Sequence, residues 1–131
     1  MNPPSEDVKD ILEQSSVGIG TFGTDLFISI MPESPDACVC IYDTGGMDPI
    51  VDYVYDYPTV QVRIRGAIFG YQAAWDVAKE VKDALHGLTN ETWNSTRYIQ
   101  IACQGDIMFI HYDENNRPVL TVNFLVHRTD T

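Results

Sequence analysis

Basic side chains are scarce in this sequence. Lys plus Arg number 8 against 19 Asp plus Glu, a formal charge of −11. That balance speaks against a conventional duplex-binding protein, because neutralising phosphates requires a clustered Lys/Arg face. Cysteine is sparse too. Cys38, Cys40 and Cys103 make an odd number, which a secreted disulfide framework does not normally have. Long apolar runs are missing: the longest, Ala37 to Tyr42, stops far short of the roughly 20 residues of a membrane span. The opening Met1-Asn-Pro-Pro-Ser-Glu-Asp7 has no basic region backed by an apolar stretch, so no signal peptide is expected. A reducing cytoplasm is the expected compartment, where the sequons Asn90-Glu-Thr92 and Asn94-Ser-Thr96 stay chemically silent. Repeats, low-complexity tracts and linkers are absent as well, and residues 1–131 read as a single domain.

What is present points to an ordered fold. Hydrophobic residues make up 44% of the chain, too many for a disordered acidic tail. The charge is divided unevenly. Residues 1–58 hold eleven carboxylates and one base, Lys9, whereas residues 59–131 hold eight acids and seven bases. Solubility accounts for such an excess in the simplest reading; a surface that repels or mimics nucleic acid is the functional one.

Ser5 is placed to cap a short N-terminal helix, with Glu6 and Asp7 in its first turn and Val8, Ile11 and Leu12 on one face; it should stop near Ser16. Leu26–Met31 and Ala37–Tyr42 read as two strands joined by a short turn. From Thr44 to Tyr57 no period is visible, and connections of that length are uncommon inside a domain. Pro58–Arg65 alternates, with Val60, Val62 and Ile64 on one face and Thr59, Gln61, Arg63 and Arg65 on the other. Tyr71, Ala74, Trp75, Ala78, Val81, Leu85 and Leu88 recur at helical spacing, and Gly87 is placed to end that helix. Arg97–Cys103 alternates again, and Ile107–Arg128 reads as a hairpin turning at Asp113–Pro118. The expected fold is α+β: an antiparallel or mixed sheet of four to six strands, with one long helix packed on one face and a short N-terminal helix.

Gly18-Ile-Gly20-Thr-Phe-Gly23 matches the dinucleotide-binding string, and Asp43 follows at the usual interval. The context is inverted, however, since a helix leads in and a strand leaves; a tight turn is the better reading. Cys38 and Cys40 share a strand face but have no second ligand pair near them, and His86, His111 and His127 have no ligand spacing. Packing is their expected role, and nothing local supports cysteine catalysis. Asp48, Asp52 and Asp56 recur every four residues among Tyr53, Tyr55 and Tyr57. An acid pair or metal site would need them convergent and partly buried, so an interface loop, with Ile50, Val51, Val54 and the tyrosines buried against another chain, fits better. Arg63 and Arg65 read either as a solvated sheet face or as a subunit contact that pairs with a neighbour's carboxylates. The interface candidates are therefore Asp48, Ile50, Asp52, Tyr53, Tyr55, Asp56, Arg63 and Arg65; no catalytic, cofactor or metal residue is identified.

Six motifs stand in a recognisable order. They are Gly18-Ile-Gly-Thr-Phe-Gly-Thr-Asp25, Pro32-Glu-Ser-Pro-Asp36, Ile41-Tyr-Asp-Thr-Gly-Gly46, Asp56-Tyr-Pro-Thr-Val-Gln-Val-Arg63, Ala84-Leu-His-Gly-Leu-Thr-Asn90 and Asp113-Glu-Asn-Asn-Arg-Pro118, the last followed by Val122-Asn-Phe124. In this succession, over residues 17–128, the chain resembles the small minor capsid proteins of long-tailed bacteriophages, of the tail-terminator or tail-to-head joining kind. The resemblance implies a structural virion protein without enzyme activity or cofactor. It implies a homo-oligomeric ring, typically a hexamer, that caps the tail tube, meets the tube protein and a neck or head-completion protein, and lets DNA pass without specific binding. Its place would be the virion tail or neck, with the host cytoplasm during assembly and no membrane. An acidic DNA-mimic or protein-binding inhibitor is the alternative class.

Overall fold

The computed structural model describes residues 1–15 and 19–130. In chain order the elements are α1 (Pro4–Glu13), β1 (Leu26–Ile28), β2 (Cys38–Met47), β3 (Tyr55–Arg65), α2 (Tyr71–Leu85), β4 (Leu88–Trp93), β5 (Thr96–Tyr112) and β6 (Pro118–Thr129). The strands form one six-stranded mixed sheet in the order β1-β2-β3-β6-β5-β4, antiparallel throughout except for the β1–β2 pair. The α+β class matches expectation. The helical layer does not consist of one long helix: it is shared by α1, of 10 residues, and α2, of 15, which pack on each other and on the sheet.

The β3 alternation is as the sequence predicts. Val60, Val62 and Ile64 are buried and meet Leu120, Val122 and Phe124 across the β3–β6 ladder. The helices close over this face with Val8, Ile11 and Leu12 from α1 and Ala74, Ala78, Val81 and Leu85 from α2. Each fully buried large side chain contributes about 1.5–3 kcal/mol.

Several local expectations change. Ser5 sits inside α1 instead of capping it; the Asp43 carboxylate, from β2, accepts both the Ser5 backbone N–H at 3.0 Å and the Ser5 hydroxyl at 2.6 Å. A distant strand thus supplies the acceptor that a helix start needs. α1 ends at Glu13, and Ser16 and Gly18 lie outside the described residues. Downstream, Gly23 has a φ of +86° and Asp25 accepts the Thr21 N–H at 2.7 Å, in a turn between helix and strand as the inverted motif suggests. The first strand is only Leu26–Ile28. The fourteen-residue connection is shorter than expected, because β2 continues to Met47 and β3 starts at Tyr55, leaving residues 48–54. Leu88 opens a strand instead of closing the helical face, and Gly87, with φ of +87°, ends the helix as its position suggests. β4 itself is new, and so is the joining of Arg97–Cys103 to Ile107–Tyr112 as one 17-residue strand, with register shifts along its length.

Candidate functional site

Residues 48–54 project from the end of the sheet. Val51 is 97% exposed, Val54 67% and Tyr53 64%, while Asp48 and Asp52 are exposed beside them. An apolar tip of this kind marks an interaction surface more often than a solvated loop. At its base the rings of Tyr53 and Tyr55 stack at 6.0 Å, and Tyr55 and Tyr57 both pack on His127, at 5.1 and 4.6 Å. Asp56 is not part of the loop. It is half-buried on β3, paired across the ladder with Arg128. The three aspartates at four-residue spacing therefore do not converge.

The two candidate arginines separate as well. Arg63 is exposed; its Nε donates to Gln61 Oε1 at 2.8 Å and its guanidinium lies 4.9 Å from the Tyr42 ring centroid. Arg65 is buried. Its Nε and Nη2 donate to the backbone carbonyls of Asp36, Pro32 and Pro35, because the segment after β1 folds over this end of the sheet. Within the chain its side chain is thus a clasp on a loop, unlike the exposed Arg63.

On the sheet face that α1 and α2 leave uncovered, cross-strand partners align in rows. Tyr42, Gln61, Asn123 and Gln104 form one row, and Arg63, Thr121 and Met108 another. Gln61 donates to Asn123 Oδ1 at 3.0 Å, and the hydroxyls of Thr44 and Thr59 meet at 2.8 Å. Arg97, with Thr92 on one side and Thr129 on the other, continues the face and donates to Asn90 Oδ1 at 3.0 Å. No carboxylate stands in these rows, in a chain with 19 of them. Lys9, Lys79, Lys82 and Arg117 are ion-paired within the chain. Among the described residues, Arg63 and Arg97 are exposed cations without a carboxylate partner, and both belong to this face. Alternation in the sequence places Arg63 on this face; Arg97 joins it through its pairing with Thr129, 32 residues further along the chain.

Cys38 and Cys40 carry free, buried thiols with sulfurs 3.8 Å apart. Their mutual hydrogen bond lowers the Cys38 thiol, against its burial and aided by Arg65 and Arg117, and raises that of Cys40.

A second exposed apolar group lies at the opposite end of β3. Ile68, Phe69 and Tyr71 precede or open α2, and Met108, Phe109, Ile110 and Tyr112 end β5. The ring of Phe109 is 5.4 Å from both Tyr71 and Tyr112, and Phe69 is 6.2 Å from Tyr112. The signal in the sequence was the run Ile107–Tyr112, which does not alternate as a one-sided strand should.

Six strands with two helices on one face, and exposed apolar groups at both ends of the long strands, define an α+β domain with apolar surface at two separate places. The chain belongs to the family described as bacteriophage tail terminator protein, whose sequence model matches residues 15–130. Membership makes it a structural protein of the phage tail and virion. In fold it is similar to a chain of the virion of a native gene transfer agent particle, with a TM-score of 0.76 at 13% identity, over 97% of this chain and 95% of that one. A second solved chain shares 12% identity with a TM-score of 0.52, over 95% of this chain and 90% of its own. Among curated proteins none matches the sequence.

Proposed function

We propose that this chain is the subunit of a ring, six copies in the simplest reading, that caps the tail tube and joins it to the neck. Residues 1–131 act as one domain, made in the host cytoplasm and built into the virion. The observation that carries the reading is the division of surface charge. Apolar, acidic residues 48–54 project at one end of the sheet, and the helix-free face offers Arg63 and Arg97 with no carboxylate beside them. Acidic loops of one copy suit the cationic face of the next, and charge-assisted contacts of that kind fix orientation in an assembly whose net charge is strongly negative. The remaining acidic surface faces the passage for DNA, where like charge opposes condensation on the wall. Neither a cofactor nor a reaction is part of this reading.

The test is Asp48→Asn with Asp52→Asn, Asp56→Asn being the strand-borne comparison. The loop pair should weaken the contact between copies and yield misassembled tails, with the isolated protein folded as before. Normal tail length and unchanged infectivity would sink the proposal.

A further inference from the structure

The aromatic cluster at the far end of β3 is chemically different from the 48–54 loop, and it has a different rim. Phe69 is 70% exposed and Phe109 40%, yet their rings are held in a defined array with Tyr71 and Tyr112. Phe69 adopts a φ of +55°, which a bulky side chain rarely takes, and its backbone N–H is fixed to the Asn116 carbonyl at 2.8 Å. The strand edge beside the cluster is open as well: β4 pairs with β5 only from Thr96 to Ile101, so among the described residues Met108–Tyr112 have no paired strand on that side.

The rim is acidic. Tyr112 leads directly into Asp113 and the exposed Glu114. Arg117, on the same turn, is buried beneath its own carboxylates, with a side chain 4% exposed against 81% for Glu33 and 52% for Asp36. The cation is thus hidden and the carboxylates face outward. The apolar loop of another copy, flanked by Asp48 and Asp52, would meet like charge here. A segment flanked by lysine or arginine would meet opposite charge at the Asp113–Glu114 end of an aromatic floor, where a buried apolar anchor with a polar rim makes a stable contact.

We infer that the Phe69–Tyr71–Phe109–Tyr112 cluster is a docking surface for an apolar segment, flanked by basic residues, of a protein other than this chain. It rests on the ring reading only for the source of that partner, which would be a virion protein. β3 separates the cluster from the 48–54 loop by about 36 Å at roughly 3.3 Å per residue, so both ends can be occupied at once.

The test uses the whole protein and two labelled probe peptides, one alternating Phe and Leu with Lys and the other with Glu in place of Lys. Fluorescence anisotropy should give about tenfold tighter binding for the Lys peptide, weakening with salt. Phe109→Ser should abolish it, and Glu33→Gln with Glu114→Gln should reduce it. Tyr71→Ser replaces the first variant if that one fails to fold. Equal binding of the two peptides, or binding that survives both serine variants, overturns the inference. Native mass of Phe109→Ser separates this from the ring reading: assembly should be untouched, and its loss would make the cluster a self-contact and overturn the inference.

Discussion

The phenolic hydroxyl of Tyr98 on β5 donates to the carboxylate of Asp7 on α1, 91 residues away in sequence. Asp7 is fully buried and also accepts from Asn94 Nδ2 at 2.6 Å, while Arg128 Nη1 donates to the Tyr98 oxygen at 3.4 Å. This cluster ties the N-terminal helix to the far side of the sheet. Removing one member strands a buried group, so Tyr98→Phe should cost about 1–3 kcal/mol in urea unfolding.

The same contact sets a pH dependence. Burial, and then the hydrogen bond to Asp7, push the Tyr98 phenol above its ordinary value of 10.0. The folded state therefore holds this proton longer than the unfolded chain. The contribution is complete below pH 10 and is lost as the pH rises beyond it. Melting temperatures should fall on the alkaline side, and the slope should be shallower in Tyr98→Phe. An identical slope in the two proteins would remove Tyr98 as the cause.

Arg65 and Arg63 stand two apart on one strand and should behave as opposites. Arg65→Met leaves three carbonyls without their donor and should cost about 2–4 kcal/mol. Arg63→Ala should change stability by less than about 0.5 kcal/mol and instead weaken ring formation in native mass measurements. Equal stability losses would contradict the separation.

Two neighbouring glycines offer a sharper contrast. At Gly46, with φ of +152°, an added Cβ would lie 2.4 Å from the Tyr57 carbonyl oxygen, and backbone cannot yield there. At Gly45, with φ of +86°, nothing lies within 4 Å. Gly45→Ala should cost only about 1–2 kcal/mol of conformational strain, whereas Gly46→Ala adds the clash and should unfold first in thermal melts.

Local periodicity made β3, α2 and the turn at Asp113–Pro118 legible, since each buries one face with the period of its own geometry. The family was legible too, because it rests on ordered motifs. What the sequence hid depends on contacts between distant segments. Arg65 obeys the alternation of an outward residue and is buried only because residues 32–36 fold over it. α1 takes its cap from Asp43, far along the chain. β4 escaped notice because Leu88 extends the helical pattern, and its turn rests on Asn94 and Ser95, with φ of +50° and +67°. The loop of residues 48–54 keeps Ile50, Tyr53 and the two aspartates at 48 and 52 together, but Tyr55 and Asp56 belong to β3.

Imaging purified tail tubes after adding this protein tests the central claim most directly. A ring of uniform size seated on the tube end, in register with a native mass of six subunits, is the predicted result. Bare tube ends, with the protein remaining monomeric in solution at every ratio, would contradict the account.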